Sequence, residues 1–135
     1  MQNIKITAVN VAIIDKSKKV LIAKRPADKP MPNKWEFPGG KLEKNETLHE
    51  CGVREIKEEM DLDVELDKYL GYEELVFENK DFTLHLFTAN LKDHNQAFKL
   101  HEHTHGEWVF IDELINYDFP AFDIPFISKL RDILC

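Results

Sequence analysis

Three carboxylates, Glu55, Glu58 and Glu59, stand at i, i+3 and i+4 in the stretch GKLEKNETLHECGVREIKEE from Gly40 to Glu59. A helix turns about 100° per residue, so the three fall on one face within roughly 100° of arc. Like charges at that spacing repel. Such a face persists because water screens it or because a cation sits on it. A solvated surface is the ordinary meaning of a Glu-rich helical face. As a ligand set, oxygen donors alone suit Mg²⁺ or Mn²⁺, which prefer carboxylates, water and phosphate oxygens. The chemistry open to them is hydrolysis of a phosphoanhydride. There phosphate charge must be neutralised, a water aligned and its proton removed; bound cations supply the first and assist the other two.

The frame around the carboxylates separates the two meanings. Gly40, Glu46, Arg54-Glu55, Ile56, Glu58-Glu59 and Leu62 keep a fixed spacing. Six specified positions coincide by chance in roughly one window per ten million at ordinary residue frequencies. The pattern resembles the Nudix box: Gly, five residues, Glu, seven residues, Arg-Glu, an aliphatic, any residue, Glu-Glu, any residue, Gly, an aliphatic. The chain departs once, with Asp61 in place of the last Gly. That position lies just past the helix end, often in the left-handed conformation, which Asp tolerates better than most residues. Arg25-Pro26-Ala27-Asp28, Lys34 through Gly40 (KWEFPGG), Gly106-Glu107-Trp108 and Phe119-Pro120 are similar to the MutT-like branch of that family. The resemblance thus covers nearly the whole chain. It implies the Nudix fold, an α/β/α sandwich with a mixed β-sheet, and hydrolysis of a diphosphate linked to some other group. It does not specify the group.

Carried onto this chain, the resemblance implies that Glu55, Glu58 and Glu59 hold the catalytic cation, Mg²⁺ or Mn²⁺, with the carbonyl of Gly40 as an additional ligand. It also implies that Glu102, in HEHTHGEW, reaches the metal from outside the box. The general base stays open between Glu102 and Glu55, with Glu58 a further option inside the box. Arg54 is expected to pair with Glu46 and hold the loop against the helix, because a metal site needs its ligands supported; otherwise the pair is an ordinary surface salt bridge. Gly39-Gly40-Lys41 brings backbone close to the site. Arg25, by the same resemblance, meets the substrate's phosphates or ribose, whereas Lys24, Lys34 and Lys41 read as solvated charges. His101, His103 and His105 alternate and, if extended, would share a side where Zn²⁺ or Ni²⁺ is conceivable. Their place in a loop argues instead for the substrate entrance or plain solvent.

Asp123 is the clearest pointer to specificity. It lies in FPAFDIPF, where the MutT pattern places a base-contacting Asn, and the FDIP string resembles bacterial CTP pyrophosphohydrolases of the branch. An ionised Asp only accepts hydrogen bonds and a protonated one also donates. The first form suits the amino group of cytosine; the second, with a pKa raised by burial, suits an oxidised guanine. An equally open alternative is that Asp123 caps the last helix. Phe37 and Phe77 are candidate walls for a base pocket.

The elements that must position these groups follow from periodicity and turn chemistry. IKITAVNVAII (residues 4–14) and residues 20–24 read as a strand pair around the polar turn 15–19. Residues 35–37 form a short strand broken by Pro38-Gly39-Gly40. A helix follows from Glu46 or Thr47 to Met60. Thr47 caps it and Glu50 completes a capping box, while Val53, Ile56 and Met60 form its apolar stripe. Gly52 in mid-helix suggests close packing. Residues 69–77 and 82–91 read as strands joined by the turn 78–81, and residues 108–111 as another. Asp112 caps a short helix to Tyr117. A last helix after Asp123 carries Ile127, Leu130 and Leu134 on one face.

The 135 residues read as one domain able to bury a core. No apolar run reaches membrane-spanning length, and the N-terminus lacks a signal pattern. Cys51 and Cys135 are too few for a disulfide framework; Cys51 reads as a small helix-face residue and Cys135 as a frayed terminus. A reducing, cytoplasmic setting fits both. The net charge of −7 argues against a nucleic-acid polymer, which demands a basic face. It favours a small phosphorylated substrate delivered with metal, acted on by a monomer. The resulting expectation is a nucleoside triphosphate pyrophosphohydrolase for a modified or oxidised deoxynucleotide such as 8-oxo-dGTP. The alternatives are a CTP or modified dCTP pyrophosphohydrolase, and a non-catalytic nucleotide-binding module.

Overall fold

A computed structural model describes residues 3–134; the expectation for Cys135 lies outside them. A seven-stranded sheet has the strand order β3-β2-β1-β6-β5, with β4 paired to β1 and β7 to β2. The elements are β1 (Ile4–Ile14), β2 (Lys19–Lys24), β3 (Trp35–Glu36), β4 (Gly39–Lys41), α1 (Leu48–Met60), β5 (Val64–Phe77), β6 (Lys80–Leu91), β7 (His105–Phe110) and α2 (Ile124–Leu134). Short 3₁₀ turns at Ile111–Asn116 and Ala121–Asp123 precede α2. β1 and β6 run parallel from Ile4 opposite Lys80 to Ile14 opposite Asn90, and the other pairs are antiparallel. This is the expected mixed sheet between helices.

Strand alternation divides the core in two. Val9, Val11 and Ile13 of β1 face α1, where Cys51, Ile56 and Met60 meet them. Ala12, from the opposite face, joins Phe126, Ile127 and Leu130 of α2. Gly52 sits where α1 crosses the sheet. A Cβ there would lie 3.1–3.3 Å from Leu66, Val11 and Val9, so its lack of a side chain permits the expected close approach.

The helix signals are realised at atomic detail. Thr47 Oγ1 accepts from the Glu50 N–H at 3.0 Å while Glu50 Oε1 accepts from the Thr47 N–H at 2.9 Å. Asp61 ends α1 in the left-handed region (φ 58°, ψ 34°) and its N–H donates to the Lys57 carbonyl.

Several elements differ from their sequence expectation. β5 begins at Val64, where Val64 and Leu66 are buried between exposed Glu65 and Asp67. This half-polar alternation escapes a reading tuned to apolar runs. The turn between β5 and β6 contains only Glu78 and Asn79, both at positive φ, as a two-residue hairpin requires. β7 starts at His105, not at Trp108, because the whole segment pairs along β2. Asp112 does not cap the following turn; the Phe110 N–H donates to Glu113 Oε1 at 2.9 Å and does that work. Among the described residues, no helix is long and apolar enough to cross a membrane.

Candidate active site

A cleft of about 540 Å³ opens beside β1 and β4. Its walls come from the loop of residues 26–31, the β5–β6 hairpin tip, the loop before β7 and the turn at Asp123. One end is backbone and carboxylate. β4 pairs with β1 so that Gly39 faces Asn10 and Gly40 faces Val9, which presses the glycine backbone against α1. The Gly39 N–H donates to Glu59 Oε1 at 3.0 Å, and the Cys51 thiol donates to the Gly40 carbonyl at 3.6 Å. A Cβ on Gly40 would overlap the Glu55 carboxylate, and one on Gly39 would overlap the Val9 carbonyl. At Gly39 the obstruction is backbone and leaves room only for glycine, whereas at Gly40 a side chain fits only if the Glu55 carboxylate gives way.

Arg54 gathers the acids behind this floor. It makes a bidentate pair with Glu46 at 2.6 and 3.0 Å, and reaches Glu55 at 2.5 Å, Glu58 at 3.1 Å and the Lys41 carbonyl at 3.1 Å. The Arg54 hydrogen bonds hold the Glu46 carboxyl down to about 2. Burial raises Glu55 despite Arg54, and burial pushes the Cys51 thiol up to about 12, which leaves it a neutral donor. Arg54, Glu46 and Glu58 lie outside the cleft wall, and the Glu58 side chain is 59% exposed.

Glu59 is the buried member of the trio, at 9% exposure. Burial, then the contacts with Glu102, Glu36 and Glu55, raises its carboxyl to about 9. Glu102 thus reaches the box from its distant loop, and Lys29 lies 4.0 Å from it. Among the described residues no three His, Cys, Asp or Glu side chains form a preassembled cation cage. The donor set still fits a hard cation. Glu55, Glu59, Glu102 and Gly40 line the same cleft, and the Glu102, Glu36 and Glu55 charges add to burial in raising Glu59, a strain that a hard cation among these oxygens would relieve. Mg²⁺ or Mn²⁺ would take oxygen ligands from Glu55, Glu58, Glu59, Glu102 and Gly40.

Another part is apolar and includes a carboxyl. Leu75 and Phe77 of β5 and Phe82 and Leu84 of β6 contribute apolar lining, and Phe122 and Asp123 join it from the turn before α2. Asp123 is 5% exposed, and burial followed by the Glu36 charge raises it to about 7. Among the described residues its carboxyl accepts no hydrogen bond from the first turn of α2, so the capping alternative is not realised.

Phe37 behaves differently from its sequence reading. The Phe37 side chain is in the core, with its ring 5.4 Å from that of Phe119, and does not wall the cleft. Alternation along the segment turns Glu36 into the cleft and therefore Phe37 away from it. Arg25 lines the cleft as expected, held by two of its N–H groups, Nε on the Pro30 carbonyl at 2.6 Å and Nη1 on Glu36 at 2.9 Å. The histidines do not act together: His103 is buried and bonded to Glu36 at 2.7 Å, while His101 and His105 are exposed. Lys34 pairs with Asp118 at 2.8 Å, whereas Lys41 joins the cleft wall. His103 lines the cleft, as the entrance reading expected, while Glu36, Lys29 and Lys80 are cleft residues that the sequence reading missed. Only Glu36 had a signal there, through its alternation with Phe37.

Comparisons with known proteins bear on the fold and the family. A model of the NUDIX domain family matches residues 5–130. The chain belongs to the Nudix hydrolase family. It is 30% identical over 124 residues to a CTP pyrophosphohydrolase of Escherichia coli, covering 92% of this chain and 90% of that protein. It is 33% identical over 124 residues to an 8-oxo-dGTP diphosphatase of the same organism, covering 91% and 95%. Among solved structures, the ORF135 protein of E. coli superposes with a TM-score of 0.81 at 27% identity, over 97% of this chain and 91% of that one. A MutT protein from Methanosarcina mazei shares the fold, with a TM-score of 0.87 at 22% identity over 98% and 97%. This Nudix chain is accordingly a hydrolase of the pyrophosphatase type.

Proposed function

We propose that this protein is a Mg²⁺- or Mn²⁺-dependent nucleoside triphosphate pyrophosphohydrolase. Its substrate is a modified or oxidised deoxynucleoside triphosphate such as 8-oxo-dGTP, and its products are the monophosphate and pyrophosphate. The observation that carries this reading is the polarity of the cleft. Glu55, Glu59, Glu102 and the Gly39-Gly40 backbone line the cleft together with Asp123, and β4 with its glycines flanks β1 on one side while β6, followed by β5, brings the apolar Leu75, Phe77, Phe82 and Leu84 on the other. A triphosphate placed on the glycine side sets its base on the apolar side. A Mg²⁺ or Mn²⁺ ion held by these carboxylate and carbonyl oxygens would neutralise phosphate charge and lower the pKa of a water bound to it. Arg54 holds Glu55 and Glu58 in place, Gly40 leaves room for Glu55, and the carboxylate of Glu102 or Glu55 takes the water's proton. The enzyme works as one domain and as a monomer in the cytoplasm, sanitising the nucleotide pool; its net charge of −7 suits a small substrate rather than a polymer.

A second reading, a CTP or modified dCTP pyrophosphohydrolase, draws on the neighbouring Glu36 and Asp123 carboxyls. Ionised, they only accept hydrogen bonds, as recognition of cytosine's amino group demands. The deciding experiment is a hydrolysis panel with Mg²⁺ comparing 8-oxo-dGTP, dGTP, CTP, dCTP, 5-methyl-dCTP and ADP-ribose. Monophosphate and pyrophosphate released from one nucleotide at far lower concentration than the rest support the class and select the base. No turnover by a folded, metal-binding protein overturns the enzyme reading in favour of a nucleotide-binding module.

A further inference from the structure

We propose that Asn10 is a specificity-determining residue of this cleft, its side-chain amide oxygen accepting a hydrogen bond from the exocyclic amino group of the substrate's base. The proposal rests on the reading above that the cleft takes a nucleoside triphosphate.

Asn10 is an anomaly in its own strand. It interrupts the apolar, β-branched run of β1, and Asn is among the residues that strands disfavour. Alternation sends Val9, Val11 and Ile13 into the α1-side core and Ala12 into the α2-side core. From the second face, Ala8 and Asn10 line the cleft. The register sets Asn10 between Gly39 of β4 and Leu86 of β6, so it lies between the phosphate-facing backbone and the apolar wall.

The orientation of the amide is forced. Asn10 Nδ2 donates to the Phe37 carbonyl at 2.8 Å. A carbonyl can only accept, so the NH₂ group must point there and Oδ1 must occupy the other position. Among the described residues no group donates to that oxygen, and it is not one of the sealed, unpartnered side-chain atoms; His103 Nδ1 alone has that standing. Oδ1 is therefore open, and the cleft is the space it opens onto.

The groups around it define what the ligand must bring. Glu36 and Asp123 line the same cleft, and Arg25 is already committed to Glu36 and Pro30. The open Oδ1 can only accept, so a base that brings an exocyclic N–H group to it fits and one that brings a carbonyl oxygen there does not. The shared chemistry is the amino group of cytosine or of a guanine. Uracil and hypoxanthine lack it at the same size.

The test is a cycle between residue and substrate. Wild type and Asn10→Leu, a variant of similar volume suited to a strand, are compared on dCTP against dUTP and on 8-oxo-dGTP against 8-oxo-dITP. Thermal melts confirm folding, and Asn10→Ser, which keeps a hydroxyl near the Phe37 carbonyl but withdraws the amide oxygen, replaces Asn10→Leu if that chain does not fold. Loss of one hydrogen bond should lower kcat/KM for the preferred amino base roughly 3–10-fold. The analogue lacking the amino group should stay within about 2-fold, so that the variant loses discrimination. Equal discrimination in wild type and variant overturns the role of Asn10 while leaving the proposed activity standing. Failure of wild type to turn over any nucleoside triphosphate overturns that activity, and the role of Asn10 with it.

Discussion

Gly40 and Glu55 are matched by exclusion: the Glu55 carboxylate occupies the place where any residue other than glycine at position 40 would set its Cβ. The obstructing group is the tip of a side chain, which can swing aside. Gly40→Ala should therefore leave the melting temperature nearly unchanged yet displace Glu55 and lower turnover roughly 10–100-fold. At Gly39 the obstruction is the Val9 carbonyl and Asn10 Cα, so β4 must move away from β1. Gly39→Ala should destabilise by about 1–3 kcal/mol. Melts and turnover on both variants check the contrast; a fully active Gly40→Ala protein would remove Glu55 from the site.

Glu46 acts through Arg54. Its bidentate pair at 2.6 and 3.0 Å fixes the guanidinium that also holds Glu55 and Glu58. Glu46→Gln keeps the shape and removes the charge, which frees Arg54 to compete more strongly for the ligands. We expect the Mg²⁺ concentration giving half-maximal rate to rise roughly tenfold. An unchanged Mg²⁺ titration refutes the supporting role and returns the pair to an ordinary ion pair.

Glu58 is exposed, so Glu58→Gln should change stability by no more than about 0.5 kcal/mol. It should nevertheless abolish most activity by removing a metal ligand. Calorimetric Mg²⁺ binding and turnover on the folded variant are the check, and normal values for both exclude Glu58 from the ligand set.

Stability should fall as pH rises when metal is chelated. Folding raises Glu59 from 4.5 to about 9 and Asp123 from 3.8 to about 7. The folded chain then binds more protons than the unfolded one between those limits, and stability declines through that window. Melting temperatures recorded in chelator from pH 5 to pH 9 should decrease, and Glu59→Gln should flatten the slope. A slope unaffected by Glu59→Gln shows that the buried carboxyl is not raised.

Asp123 stands at the base end of the cleft, 5% exposed. Asp123→Asn should alter the ratio of rates among bases more than the rate on the best substrate, because it exchanges an acceptor for a mixed donor and acceptor. Ratios unchanged across dCTP, dGTP and 8-oxo-dGTP would take Asp123 out of recognition.

Local spacing carried much of this molecule. The Thr47–Glu50 box and the left-handed Asp61 depend on neighbours within one or two turns, and each appears in the structure where the sequence predicts it. The β1–β2 hairpin and the apolar face of α2 follow from the same short-range logic. Expectations weakened where a choice depended on a distant partner. Phe37 looked like a pocket wall until the pairing of β3 with β2 turned it into the core.

By itself, the sequence determined the chemistry available to this protein: a helix bearing paired carboxylates, a glycine turn to meet it and an arginine to hold it, all at spacings of a few residues. Only the tertiary structure decided which of those groups share a cleft. Glu102 lies 43 positions beyond Glu59 and joins it because β7 pairs along β2. Glu36, His103 and Asp123 become neighbours of the substrate space through the same folding. Glu59 becomes a buried acid and Glu58 a solvated one, although they are adjacent in the chain. Periodicity describes one element's own faces, whereas burial, and with it charge state and access to a ligand, is set by what the rest of the chain packs against each face.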